Sequence, residues 1–318
     1  AQVTIRFLLR VFKMLYYTLK RLGLAGLVAL TVSFISFGLL YISSDPAIAM
    51  AGETASDADI EAIRQLYGFD RPLLVQYFDW LQRAMSGDLG KSYYFRTEVS
   101  ALIAERLSTT MTLGVSAITF AIVLSVPLGV AAAIRPNSLI DRIALFLSVM
   151  GQALPSFWFA LMLIVFLSVT FRLLPTSGSD TWQHFIMPTI VLGYYAAPAI
   201  MRLTRTGMLE VLSTDYIRTA RAKGLRPRVV LFKHALRNAV IPVVSLTAVQ
   251  FGFMLGGSIV VETIFALHGA GFLAWESITR NDLPTVQGLI LVFSLFYIVL
   301  TFFADLLNAW LDPRIRIN

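Results

Sequence analysis

The stretch Asp215 to Pro242, DYIRTARAKGLRPRVVLFKHALRNAVIP, decides how the chain folds across a membrane. It carries Arg218, Arg221, Lys223, Arg226, Arg228, Lys233 and Arg237 against a single acid, Asp215. Apolar runs flank it on both sides. A basic segment held between two spans belongs in the cytoplasm, because cytoplasmic loops are enriched in Lys and Arg. Locally the pattern is helix, turn, helix. Ser213 or Thr214 can cap the first helix, and Asp215 suits the positive end of its dipole. Tyr216, Ile217 and Ala220 fall on one face, Arg218 and Arg221 on another. Gly224 suits a left-handed helix stop, and Pro227 prevents simple continuation. From Arg228 a second helix runs toward Pro242. Charge alone is equally satisfied by a plain basic loop.

The flanking sequence supplies the spans. Of 318 residues 57% are hydrophobic, and mean hydropathy is +0.73. That is too apolar for a soluble domain, so the expected class is an all-α integral membrane protein. Cysteine is absent, which removes disulfides and thiol chemistry. Six apolar runs, at 22–42, 110–134, 143–170, 185–203, 239–261 and 284–304, each have about the 20 residues that a crossing needs. With the N-terminus inside, 18 of the 26 Lys and Arg lie inside and 14 of the 19 Asp and Glu outside. The net charge of +7 thus records orientation, not nucleic-acid binding, and both termini are expected in the cytoplasm. The expected organisation is an interfacial helix at 1–21, a first span at 22–42, and an external scaffold at 43–109. A core at 110–306 follows, enclosing the 213–238 loop, and a cytoplasmic tail at 307–318 ends the chain.

Within 1–21, Ile5, Leu8, Leu9, Phe12, Leu15, Tyr16 and Leu19 oppose Arg6, Arg10, Lys13, Lys20 and Arg21. That pattern suits a helix lying on an anionic inner leaflet. A signal peptide cleaved at Ala47-Ile48-Ala49 is disfavoured by the length of the apolar run. In the first external loop, Ser56 and Asp59 are spaced as a capping box for a helix to Tyr67, with Gly68 as its stop. Pro72 opens a second helix, whose Leu73, Leu74, Tyr77, Trp80 and Leu81 are expected to pack on the first or on the membrane. Gly87 to Ser92, GDLGKS, reads as tight turns and lacks the spacing of a phosphate loop.

The spans hold Pro127, Pro155, Pro188, Pro198 and Pro242, which kink helices or open their packing. None of the six apolar runs contains Asp, Glu, His or Lys, and Arg202 lies at a cytoplasmic end. An ion-driven carrier needs such a group at mid-membrane. Gln152, Ser156, Thr247 and Gln250 instead offer hydrogen bonds, either to a passing solute or between helices. No metal site is expected at His268, which has no second ligand at metal spacing.

RTARAKG followed by HALRNAVIP resembles the EAA loop of bacterial ABC-importer permeases, in the dipeptide/oligopeptide permease variant. Ala220 matches the second alanine and Gly224 the glycine of that motif. Arg218 and Thr219 stand where the general consensus has Glu and Ala. His234, Leu236 and Arg237 stand where it has Ile, Leu and Pro. The GDLGKS run, Arg106-Leu107-Ser108-Thr109-Thr110, Arg280-Asn281-Asp282-Leu283-Pro284 and Asp312-Pro313-Arg314 are also similar to that family. The family's Pro-Gly-Leu-Gly is replaced here by His268-Gly269-Ala270-Gly271, without its proline.

The resemblance implies a type I importer permease fold with six transmembrane helices, in a bacterial inner membrane. It implies a coupling helix that docks on a cytoplasmic ATPase through Asp215, Tyr216, Arg218, Thr219, Ala220, Arg221, Lys223, Gly224, His234 and Arg237. Two ATPases binding ATP and magnesium, a second permease and an external substrate-binding protein are implied as partners, in a membrane of lipid. This chain itself is expected to bind no cofactor and to catalyse nothing. Dipeptides, oligopeptides, glutathione and nickel complexes all remain open as cargo. The alternatives are an ion-coupled secondary carrier and a membrane enzyme. The first is disfavoured by the uncharged runs, the second by the absence of HExxH and GxSxG.

Overall fold

The computed structural model describes residues 2–43, 45–52 and 55–311, and among these every regular element is a helix. α1 (Gln2–Ser43) and α2 (Pro46–Ala51) lead into two short helices, α3 (Asp57–Tyr67) and α4 (Leu73–Met85). The core follows as α5 (Val99–Ile134), α6 (Leu139–Ala153), α7 (Ser156–Leu163, continued as a π-helix over Ile164–Thr170) and α8 (Ile186–Leu212). Next come α9 (Asp215–Ala222), α10 (Pro227–Val229), a π-helical stretch Val230–Leu236 and α11 (Arg237–Ala239). α12 (Ile241–Ile264), α13 (Ala270–Thr279) and α14 (Leu283–Leu311) complete the order.

Five stretches are long and apolar enough to cross a bilayer: Leu15–Leu39, Val99–Ile134, Trp182–Leu212, Ile241–Ile264 and Leu283–Ala309. The span expected at 143–170 is not one helix. α6 and α7 meet at 104°. The cause is local: Leu154 precedes a proline, whose ring disfavours helical backbone at that position, and Leu154 adopts an extended ψ of 124°. Each arm is apolar, so hydropathy runs on across the break. The inner ends of α5 and α8 carry Arg135 and Arg205, so both helices point inward along the chain. The bent pair between them must therefore make one crossing, which brings the spans to six. The other prolines are accommodated: Pro127 and Pro198 sit inside α5 and α8, and Pro242 sits in the first turn of α12, where its missing N–H is harmless.

Three further boundaries differ from expectation. No proline falls within residues 2–43, and α1 runs through them unbroken instead of dividing near residue 21. Its 42 residues extend about 63 Å, roughly twice the hydrocarbon thickness, so one end projects beyond the bilayer. The side chains of residues 1–14 lie outside the described set, as does Asp312-Pro313-Arg314. α5 begins at Val99, about three turns before the apolar run at residue 110, and its 36 residues extend about 54 Å, so its first turns, with Glu105 and Arg106, belong to the external segment. Helix also continues through Leu311, past the expected start of the tail at 307.

The core lies where α5, α8 and α12 meet. Leu113 and Ala117 of α5, Met187 and Ile200 of α8, and Met254 and Val261 of α12 pack together in its buried cluster. Small residues allow the close approach that membrane helices need. A Cβ on Gly193 would lie 2.5 Å from the Ala117 carbonyl oxygen, and one on Gly129 2.8 Å from that of Met201. Ser125 of α5 donates to the Ala197 carbonyl of α8 at 2.7 Å, a cross-helix bond beside Pro198.

The external helices fold largely as the sequence indicates. Ser56 accepts from the Asp59 amide, and Gly68 sits at φ 70° as the stop of α3. α4, however, packs inward. Its Tyr77 and Trp80 are buried with Phe37 of α1 and Leu291 of α14, while Leu73 and Leu74 remain exposed. Tyr77 Oη also lies 2.8 Å from Ser33 Oγ of α1.

Candidate functional site

α9 and its continuation form an inner elbow at the cytoplasmic ends of α5 and α8. Ile217 and Ala220 are its buried footing, packed with Val130 and Ala133 of α5, Met208 of α8, and Ala235 and Ala239. Thr214 opens α9 as expected, although its hydroxyl donates backward to the Val211 carbonyl at 2.6 Å instead of capping. Gly224 turns the chain at φ 73°, and Arg226 begins the next helix at Pro227.

Around this footing the surface is charged and open. Asp215, Arg218, Thr219, Arg221, Lys223, Gly224, Arg226, Arg228, Lys233 and Arg237 are exposed. Of the seven cations only Arg218 has a carboxylate partner among the described residues, Asp215 at 3.1 Å. Both side chains are more than three-quarters exposed, so the pair is worth well under about 1 kcal/mol. Tyr216 departs from expectation: it does not share the buried face of Ile217 and Ala220 but is 43% exposed. Its hydroxyl accepts from Asn238 Nδ2 at 2.9 Å, and Asn238 also donates to the His234 carbonyl at 3.1 Å. Sequence reasoning missed Asn238, and it missed the exposed apolar residues Leu225, Val229 and Phe232 that stand among the cations.

The four polar residues expected in the spans are scattered. Gln152, at the C-terminal end of α6 next to the break, accepts from Arg202 of α8 at 2.9 Å. Ser156 is half-buried at the start of α7. Thr247 of α12 donates to the Val243 carbonyl at 2.8 Å, and Gln250 lies half-buried one turn further on. Three turns earlier, in the first turn of α6, Asp141 accepts two bonds from Arg205 of α8, at 2.7 and 2.8 Å. Asp141 is 2% exposed, so this bidentate pair ties the bent helices to α8 in a site where either partner alone would be costly.

At the opposite face the separate motifs converge in an outer clasp. Asp282 is fully buried and accepts from Ser92 Oγ at 2.6 Å, the Tyr93 amide at 2.8 Å and Thr285 Oγ1 at 2.6 Å. The end of GDLGKS is thus bonded to the acid that precedes Leu283-Pro284. Thr110 donates to Glu262 Oε1 at 2.8 Å and accepts from the Ala270 amide at 2.8 Å. Glu262 Oε2 accepts from the Phe272 amide at 2.9 Å, capping α13 from outside. Glu262 is fully buried, and α12 carries it inside a membrane-length helix. The expectation of spans free of acid therefore fails at their outer edge, one residue beyond the run counted at 239–261. Gly269 and Gly271 are matched to this carboxylate: a Cβ on either would come within 3.0 Å of it. The turn without the family's proline is held by the Leu267 amide donating to the Glu262 carbonyl at 2.9 Å. His268 is exposed and stacks edge-on against Phe272. Among the described residues no group of three His, Cys, Asp or Glu could hold a metal ion.

The family model for "Binding-protein-dependent transport system inner membrane component" matches residues 125–317, and the model of its N-terminal region matches 14–114. The chain belongs to this family. It is a permease of a binding-protein-dependent ABC importer, a multi-pass protein of the bacterial inner membrane. The permease is 40% identical, over 304 residues, to the glutathione transport system permease protein GsiC of Salmonella choleraesuis, covering 95% of this chain and 99% of that one. The same identity and coverage hold for GsiC of Pectobacterium atrosepticum and of Escherichia coli K12. In fold it is similar to a chain of the inward-facing MetNI methionine ABC transporter, with a TM-score of 0.52 and 21% identity. That match covers 66% of this permease and 96% of the other chain. Family membership sets aside the secondary carrier and the membrane enzyme. It implies ATPase and substrate-binding partners, the permease itself being the non-catalytic membrane component.

Proposed function

We propose that the inner elbow is the coupling element of this permease and docks in a groove on a cytoplasmic ATPase. The observation that carries this reading is the division of α9. Ile217 and Ala220 anchor it to the inner ends of α5 and α8, while Tyr216, Arg218, Thr219, Arg221 and Lys223 face outward. A push on the exposed face therefore reaches two core helices through close-packed side chains, which transmit strain instead of absorbing it. Leu225, Val229 and Phe232 supply apolar contact among cations that steer the encounter. His234 and Arg237 follow on the same elbow, with His234 tied to Tyr216 through Asn238.

In this reading ATP and magnesium are bound and hydrolysed by two separate ATPase subunits. Closure of the ATPase pair swings the elbow and rocks α5, α8 and α12 against a second permease, opening the path outward. The substrate-binding protein sits on the external scaffold, 43–106, and on the loop around α13. Ser156, Thr247 and Gln250 line the path, while Gln152 braces Arg202. The cargo is a short peptide or peptide-like solute, supported by the transport of glutathione named for relatives at 40% identity.

Gly224→Asp tests the coupling role. Gly224 has open space around it, and at its φ of 73° Asp is better tolerated than most side chains, so the variant adds a negative charge to the docking face at little cost to the fold. The expected result is loss of uptake, with the permease still inserted in the membrane. Normal uptake by this variant refutes the docking role.

A further inference from the structure

A cavity of about 170 Å³ opens between the inner halves of α1 and α14, away from the elbow and from the clasp. Leu24, Val28, Ile298 and Phe302 wall it, and Arg21 and Asp305 stand at its inner end. Further out the same two helices close on each other, with Phe37 against Leu291 and Ser36 donating to the Gln287 carbonyl at 3.3 Å. The gap is thus confined to the stretch between Arg21 and Val28 of α1 and between Tyr297 and Asp305 of α14. Its floor is apolar and its inner mouth carries a cation.

We propose that this groove binds one acyl chain of an anionic phospholipid of the inner leaflet, with Arg21 holding the headgroup phosphate. Size argues for a chain rather than a protein partner. A helix about 10 Å across cannot enter so small a cavity, whereas a run of methylenes can. Charge argues for an anionic headgroup. Residues 1–21 carry five Lys and Arg and no acid, a density that concentrates acidic lipid at the surface. Arg21 is also held in place for the task. Its Nη1 lies 2.9 Å from Asp305 Oδ2, and its Nε donates to Tyr17 Oη at 3.2 Å. A guanidinium has five N–H donors, so these two bonds leave others for a phosphate. Asp305 fixes the guanidinium at the mouth of a single groove, which sets the stoichiometry at one.

The test uses the complete importer, reconstituted in nanodiscs of phosphatidylglycerol and phosphatidylcholine, with retained lipid counted by native mass spectrometry. One phosphatidylglycerol is expected per permease, in preference to phosphatidylcholine. Arg21→Gln should weaken that binding about fivefold. The double variant Arg21→Gln with Asp305→Asn leaves no unpaired charge and should show the same loss, separating headgroup recognition from damage to the fold. Ala25→Phe, which fills the groove, should release lipid of either headgroup. Equal retention of the two lipids by the parent protein, or unchanged retention in Ala25→Phe, overturns the proposal. So does a photo-crosslinker at position 25 that captures another subunit instead of lipid.

Discussion

The outer clasp and the inner elbow are both rich in polar groups, and they dispose of them in opposite ways. At the clasp, Glu262, Asp282 and Thr110 are fully buried, and each carboxylate oxygen has a donor. At the elbow seven cations stand in solvent with one weak carboxylate partner among the described residues. Burying a polar group is costly unless its bonds are complete, and complete bonds leave nothing for another molecule. The clasp therefore holds this chain together, and the elbow is left for another chain. Substitutions that separate stability from transport test that contrast, and they rank by their cost to the fold.

Asp282→Ala should cost most. It removes the shared acceptor of the Ser92 and Thr285 hydroxyls and the Tyr93 amide at a carboxylate that is fully buried, a loss on the order of 3 kcal/mol. Thermal unfolding of the purified permease should show it as a clear drop in Tm, with Asp282→Asn intermediate. A parent-like melt for Asp282→Ala would mean that the clasp is not what joins the external segment to α14.

Gly269→Ala comes next. Its Cβ would lie 2.4 Å from Glu262 Oε2 and 2.6 Å from Thr110 Oγ1. Forcing a methyl into such a packed site costs about 1–3 kcal/mol. Gly256→Ala in α12 is the matched control, since nothing lies within 4 Å of its Cβ. The two variants should melt apart; if they melt together, the glycine at 269 is not required by the carboxylate.

The contrast also explains what the sequence could disclose. The elbow was legible because its signals are local: charge, a glycine stop and a proline lie within 28 residues. The two halves of the clasp were each visible as motifs, but nothing in either says that Ser92 meets Asp282, 190 positions away. Glu262 escaped notice because it lies one residue past an apolar run, where helix and hydropathy do not end together. The break at Leu154-Pro155 escaped because both arms are apolar, and a hydropathy window cannot see backbone geometry. The face of Tyr216 was misjudged for a related reason. Periodicity places it near Ile217, but which side of a short helix is buried depends on what it rests upon, here α5 and α8.

The smallest cost to the fold, and the sharpest test, belongs to Arg218→Glu combined with Arg221→Glu. Both residues are exposed, so stability should stay within about 0.5 kcal/mol of the parent. ATPase association and uptake should nevertheless fall at least about tenfold, because like charges would face each other across the docked surface. Membrane orientation is not at risk. The inner side would still hold 16 Lys and Arg against 8 outside. Assembly of the ATPase on the purified permease, measured at low and high salt, reads the effect directly, since screening should narrow the gap between variant and parent. If the double reversal binds and transports like the parent, these two arginines only mark the cytoplasmic side. The basic loop would then be satisfied by the positive-inside bias alone, and the coupling surface would have to be sought among Tyr216, Leu225, Val229 and Phe232, the apolar residues that the charge pattern conceals.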